Sequence, residues 1–364
     1  MAATTNVTDG ITTQNFLNQS EHYFETLPTQ SLNVNQSAEE VDASASINTD
    51  YHLIIIYYVI GACGIFGNIL VCIVMFSSAT LRRKITNWFI INQSLVDFAV
   101  SFFLTVQADV QGEPPHSGIA GELYCRIWAT KLFLWGFLVS STYNLVALTI
   151  ERYLAVVHPI WHKTSFSKTK ATVLIALVWL FGPVWNASYM IVTSSNEDGV
   201  CAIYAIWPSI TVRRFFGVLT VLLQYLIPLT FIIFAYGSIA LKLYRKLKSD
   251  GAAKGKDETI QRGMRNTVKT LVLVAICFVA CWSWNQIYYL MMNLGFREDY
   301  SSNFYHFTVI AVFINSCVNP MIYALKYDPF KKAAYQLFCT KMLGIRPNAI
   351  EDQSASHNTV ETVS

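Results

Sequence analysis

The chain has 364 residues, 53% of them apolar and 13% charged, and its net charge is only +3. Soluble domains carry roughly 25% charged residues, so an ordinary soluble protein is excluded. The small charge, with no basic face interleaved with stacking aromatics, excludes a nucleic-acid binder.

Residues 1–50 contain no Lys or Arg and seven acids, set among Thr, Asn, Ser and Gln. Such a segment cannot bury enough apolar surface to fold, and it is expected to be a disordered tail. It carries three glycosylation sequons, at Asn6, Asn18 and Asn35, which count only if the tail lies outside the cell. No short apolar segment near Met1 reads as a cleavable signal, so the first apolar run is expected to direct insertion.

A bilayer core needs about 20 apolar residues in a helix. Seven such runs follow, near 51–77, 87–110, 123–157, 170–193, 213–244, 266–294 and 303–326. The fold expected is all-α: a seven-transmembrane bundle over 51–326. Arg82, Arg83 and Lys84 follow the first run, Lys163, Lys168 and Lys170 the third, and nine basic residues from Lys242 to Lys269 the fifth. The opposite loops are acidic, with Asp109, Glu113, Glu122, Glu197 and Asp198. The positive-inside rule places the N-terminus outside and the C-terminus in the cytoplasm of a plasma-membrane protein. That puts the three sequons where they can be glycosylated.

Of eight cysteines, Cys63, Cys72, Cys277, Cys281 and Cys317 lie inside apolar runs and read as buried small residues. Cys125 and Cys201 sit at outer edges and are expected to form a disulfide. Beyond the seventh run, Asp328 to Cys339 places Phe330, Ala334, Leu337 and Phe338 on one stripe, with Lys331 and Lys332 off it. An amphipathic eighth helix over 327–340 on the inner leaflet is expected. Cys339 beside that surface is either a palmitoylation site or a plain thiol. Residues 341–364 form a polar cytoplasmic tail whose serines and threonines can accept phosphate, a basis for arrestin binding.

An ionised carboxylate at mid-helix costs roughly 2.5–3.5 kcal/mol on insertion scales, so Asp97 is a marked residue. Ser141, Asn315, Ser316 and Asn319 lie at similar depth and offer the oxygen ligands a monovalent cation needs. With these, Gly67-Asn68-Ile69-Leu70-Val71, Asn92 to Asp97, Glu151-Arg152-Tyr153, Trp179, Pro228 with Tyr236, Phe278 with Cys281-Trp282, and Asn319-Pro320-Met321-Ile322-Tyr323 stand one set per run, in order. Over residues 51–340 the chain resembles a rhodopsin-like G-protein-coupled receptor. The resemblance implies a receptor whose outward cavity, when occupied, opens an inward face to a heterotrimeric G protein. By match, Glu151, Arg152 and Tyr153 would hold the resting state and then meet the G protein. Asp97, Ser141, Asn315 and Asn319 would form a sodium pocket, the only cofactor implied. Trp282 with Phe278 would be the transmission switch, and Tyr323 with Tyr236, beside Asn319 and Pro320, an inward-swinging pair.

Three departures stand out. Cys125 precedes Arg152 by 27 residues, two more than is usual, which blurs residue matching in the outer third of the third helix. Trp284 replaces the usual Pro of the sixth helix, so the kink there is expected to diminish. The acid that usually faces Arg152 from the sixth helix falls on Met264, so an inter-helix ionic lock is not expected.

The ligand is constrained by absences. The third helix has no acid between Glu122 and Glu151, leaving Leu132 or Leu134 where amine receptors carry Asp, and from Ser301 to Leu325 the seventh has no Lys for a retinal Schiff base. The expected lining is Gln107, Lys131, Leu134, Trp135, Gln224, Trp282, Asn285, Gln286 and Tyr289, with Lys131 its one charge. Amide and aromatic groups suit a peptide. The acidic outer loops either steer a basic peptide or are merely solvated. Asn285 to Leu290 and His158 to His162 look similar to neuropeptide receptors of the galanin, somatostatin and thyrotropin-releasing-hormone kind. No Gly-rich phosphate loop or Cys/His metal set supports an enzyme. The rival class is an ion-coupled transporter using Asp97, but no inverted repeat supports it.

Overall fold

The computed structural model describes residues 36–108, 118–197, 199–249, 256–296 and 302–338. The sequons at Asn6, Asn18 and Asn35, the thiol of Cys339 and the C-terminal tail lie outside the described residues. The chain divides into two compact units, Met1–Tyr51 and His52–Ser364. In the first, residues from Gln36 are helical, within the tail expected to lack structure. Their Ala and Glu content gives that stretch good helix propensity.

Seven helices are long and apolar enough to cross a membrane. We label them α1 (Tyr51–Ser77), α2 (Ile85–Gln107), α3 (Gly118–Val157), α4 (Lys168–Met190), α5 (Ile210–Arg245), α6 (Val268–Leu294) and α7 (Asn303–Lys326). An eighth, α8 (Asp328–Tyr335), follows at once. It buries Phe330 and Ala333 against the bundle and leaves Lys331 and Lys332 exposed. Local chemistry sets the ends. Ser167, Ser209 and Ser302 accept the backbone N–H three residues on at the starts of α4, α5 and α7, satisfying donors a helix leaves orphaned. Gly295, at φ 99°, ends α6. Its N–H donates to Met292 and that of Phe296 to Met291, a termination only glycine accepts without strain.

Burial runs opposite to that of a soluble protein. Asn68, Asn87, Ser94, Asp97 and Asn144 are fully enclosed, while Phe66 and Leu325 are 73% and 70% exposed. Hydrocarbon solvates the apolar outer faces, so the interior is where polar groups find partners. Small residues let helices close up: a Cβ on Gly182 of α4 would lie 2.0 Å from the carbonyl of Gly136 on α3.

Two irregularities shape the outer end. In α3 a π-helical stretch, Tyr124–Ala129, is followed by Lys131 in a left-handed conformation at φ 56°. These absorb the surplus residues between Cys125 and Arg152 and restore an ordinary helix from Leu132 onward. In α5 a π turn at Leu222–Leu226 precedes Pro228, whose ring cannot tolerate the carbonyl of Gln224 in a regular turn. Between α4 and α5 a hairpin, β1 (Ser195–Glu197) with β2 (Val200–Ala202), pairs Asn196 with Cys201. Strands of three residues are too short to leave a periodic trace in sequence.

Candidate functional site: an outer cavity above a buried polar core

The disulfide Cys125–Cys201, with Cα atoms 5.2 Å apart, ties the hairpin to α3. Glu122 reinforces it, accepting from Asn196 N–H at 3.3 Å and from Arg126 at 2.6 Å. Beneath lies a cavity of about 150 Å³, a volume that elsewhere holds a single aromatic ring. Of the residues expected to line it, Trp135, Gln224, Asn285, Gln286 and Tyr289 do so.

Four do not. Gln107 is buried at the end of α2, its amide reaching Trp128 O at 3.5 Å. Lys131, the left-handed residue, is exposed and does not line the cavity. Leu134 is enclosed among core residues, and Trp282 is buried one layer below. The cavity's charge is instead Arg213 of α5, whose guanidinium donates to Met292 O at 3.4 Å. Asn186 and Tyr189 of α4, with Tyr204 and Trp207 of the loop after β2, are also part of the wall. No sequence pattern singles these out, and only the fold of that loop brings Tyr204 and Trp207 over the bundle. Gln224 Nε2 and Gln286 Oε1 are buried with no hydrogen-bond partner. One is a donor and the other an acceptor.

Below the cavity, Phe278 and Trp282 pack at a tilt of 38° with ring centroids 5.8 Å apart, and Tyr225 meets Phe278 at 6.1 Å. The helix runs unbroken through Trp284. Trp284 is half-exposed and packs edge-on against Phe307 of α7, at 6.1 Å, so the two indoles face different ways as expected.

The bundle centre is one connected network. Trp179 donates to Asn92 (2.8 Å), Asn92 to Asn144 (2.8 Å), and Asn144 to Gln93 (2.7 Å). Asp97 accepts from Ser141 (2.7 Å) and Asn319 (2.8 Å), and also from Gln93 at 3.1 and 3.2 Å. Asn315 is buried one turn before Asn319 but makes no hydrogen bond to this carboxylate among the described residues. Gln93 also donates to Ser141 at 2.5 Å. Its place at Asp97 was legible in the i, i+4 spacing but not its hold on Ser141. The oxygens of Asp97 and Ser141, with the unpaired Oδ1 of Asn319, fit a small monovalent cation. The Gln93 amide already donates to two of these groups, so a cation would compete with it there.

At the far end, Glu151 is enclosed and holds Arg152 through contacts of 2.5 and 2.7 Å. It also accepts from Thr86 at 3.1 Å and meets His162 at 3.1 Å. Tyr153 packs on His158 and Phe234. Tyr236 accepts from Thr149 at 3.4 Å, Tyr323 Oη has no partner, and no hydrogen bond joins these two tyrosines. Pro320 lies inside α7. Just before α6, on the same continuous helix, Asn266 donates to Asp328 (3.0 Å), and Thr270 of α6 donates to Lys326 O (3.1 Å), clasping α6 to the α7–α8 elbow.

Residues 67–323 match the family described as 7 transmembrane receptor (rhodopsin family). The RYamide receptor of Drosophila melanogaster is 28% identical over 331 residues, covering 82% of this chain and 68% of that protein. Galanin receptor type 1 of Rattus norvegicus is 27% identical over 304 residues, 81% and 84% of the two chains. Somatostatin receptor type 2 of Mus musculus is 27% identical over 350 residues, 91% and 90%.

Proposed function

This chain belongs to the rhodopsin family of seven-transmembrane receptors, and from that premise we propose that it binds an extracellular peptide and signals to a heterotrimeric G protein. The observation that carries the peptide is the pair of partnerless amide atoms on Gln224 and Gln286. A buried polar atom left unpaired costs about 1–3 kcal/mol, and one backbone amide of a ligand supplies both the acceptor and the donor they lack. The small volume admits one side chain with its amide, so the rest of the peptide lies across the hairpin and outer loops. Arg213 adds a cation in the wall that suits a ligand carbonyl or carboxylate. Receptors for RYamide, galanin and somatostatin among the relatives agree with a peptide.

In this reading the N-terminus is extracellular and glycosylated at Asn6, Asn18 and Asn35, and the C-terminus is cytoplasmic. The inward face at Glu151, Arg152 and Tyr153 meets the G protein. The C-terminal tail takes arrestin once phosphorylated, Cys339 is acylated into the inner leaflet, and a sodium ion competes with Gln93 for Asp97. The test is a neuropeptide library applied to cells expressing the chain, read by G-protein dissociation sensors. Activation by a peptide that Gln286→Leu weakens is expected. Uptake of labelled substrate with no sensor response would overturn the reading in favour of a transporter.

A further inference from the structure

Glu151 holds two partners of different chemistry. Arg152 grips the carboxylate through Nε and Nη2, and His162 Nε2 meets its Oε1 at 3.1 Å. His162 stands on a short helix, Pro159–Ser165, that follows α3. Its ring lies on buried Phe166, with centroids 5.3 Å apart and planes at 15°, which fixes its orientation. A carboxylate only accepts, so Nε2 carries the hydrogen of that contact and Nδ1 is left to take a further proton. The His162 side chain is 21% exposed and that of Glu151 is 1% exposed, so solvent is open to the imidazole and closed to the carboxylate.

The charged and titratable groups around this pair are few. From α2 the Thr86 hydroxyl reaches Glu151. Lys168 lies over the Trp88 ring and Lys170 over the Trp161 ring, at 5.8 and 5.6 Å, and Lys163 is exposed. His158 packs on Tyr153. Tyr327, at the α7–α8 elbow, donates to Asn87 and lies within electrostatic range of Glu151 and Arg152. Among the described residues, Arg152 is therefore the one other cation on this carboxylate. A proton on His162 repels Arg152 and gives Glu151 a second counter-ion. Both effects favour release of Arg152. An enclosed carboxylate resists losing its sole cation, and with a charged imidazole beside it Arg152 is no longer the sole one.

We propose that His162 is a proton-operated release for Arg152, so that signalling rises as the cytoplasm acidifies through the range in which imidazoles titrate. The proposal rests on the receptor reading, in which this end of the bundle faces the cytoplasm and Arg152 meets the G protein. The proton comes from water onto Nδ1, while Nε2–H stays on Glu151. The arrangement with Arg152 released binds that proton more tightly than the arrangement with Arg152 in place. Lower pH therefore shifts the population toward release, and higher pH keeps Arg152 on Glu151.

The test measures ligand-independent guanine-nucleotide exchange on added G protein by the purified full chain in nanodiscs, against a receptor-free control at each pH. Exchange about fivefold faster at about pH 6 than at about pH 8 is expected, at the lower end of ordinary coupling between sites. His162→Gln, which keeps a donor for Glu151 but takes no proton, should abolish the ratio whatever it does to the rate. A ratio that survives in His162→Gln would put the proton on another group, and exchange that falls or stays level on acidification would refute the release. Should the G protein fail to respond at any pH, the receptor reading fails, and the release is decided without it. In the histidine-labelled chain, followed by NMR, His162 should take up its proton at higher pH in Arg152→Gln than in the unaltered protein. Equal titration in the two would overturn the proposal.

Discussion

At Asp97 the outcome turns on one amide. Gln93 places an N–H donor on both carboxylate oxygens and on Ser141, supplying from within the partial positive charge a cation would bring. A bound ion stabilises the folded state in proportion to its affinity, so sodium sensitivity is measurable without knowing the peptide. We expect Gln93→Leu to enlarge the rise in melting temperature on replacing choline with sodium, and Asp97→Asn to abolish it. No sodium dependence in Gln93→Leu would remove the cation from this site. In the outer cavity, Gln286→Leu takes away an acceptor that a ligand N–H would use, and a neutral hydrogen bond of about 0.5–1.5 kcal/mol corresponds to a loss of peptide potency of about twofold to about thirteenfold. Leu134, enclosed in the core, should tolerate Leu134→Met with potency unchanged, and a comparable loss there would show that the cavity extends below Trp135.

Helix contacts decide how these residues meet. The α3–α4 seam depends on Gly136 and Gly182, and a methyl on Gly182 would collide with a backbone carbonyl that cannot move aside. Gly182→Ala is expected to cost about 1–3 kcal/mol by overpacking, read as a lower melting midpoint. An unchanged midpoint would mean that the seam is looser than the structure has it. On α6, Trp284 keeps the backbone donor that the usual proline lacks, and the helix runs through this position without interruption. At the end of the bundle opposite the cavity, the clasp of Asn266 and Thr270 on the α7–α8 elbow stands where no acid from α6 reaches Arg152. Lys331, and Asn266 with it, hold the Asp328 carboxyl below its ordinary range. The charged contact is therefore present above the ordinary carboxylate value and lost as pH falls through the lowered one. Asn266→Ala is expected to raise ligand-independent signalling in the sensor assay, and basal signalling equal to the unaltered chain would show that the clasp does not hold α6.

For the molecule as a whole, the membrane reverses the usual sorting, and the Cys125–Cys201 link then holds the hairpin across the outer opening. Peptide mapping without reduction should recover that crosslinked pair, and alkylation of both thiols without prior reduction would contradict it. The seven spans, the short α8 and the two cysteines were legible because each rests on local chemistry: runs of apolar residues, serine caps, Pro and Gly at ends, and thiols at outer edges. Trp135, Asn285, Gln286 and Tyr289 were legible as cavity residues because they sit on ordinary helix one or two turns from recognisable landmarks, and Gln224, within the π turn of α5, because it lies one turn before Pro228. Lys131 was misplaced because a π-helical stretch and a left-handed residue change the register of α3, and nothing in hydrophobic periodicity marks either. Tyr204 and Trp207 were missed because a loop closed by a distant disulfide brings them over the cavity, and Arg213 because it stands in the first turn of α5, where no motif marks it. Gln93 could be paired with Asp97 on paper, but its hold on Ser141 of another helix depends on how closely α2 and α3 approach. The sequence by itself determined which segments cross the bilayer, since the cost of burying backbone and charge in hydrocarbon is paid residue by residue. Only the tertiary structure decided which polar groups find one another inside it, because a hydrogen bond needs its two atoms within about 3 Å, a distance set by packing between helices far apart in the chain.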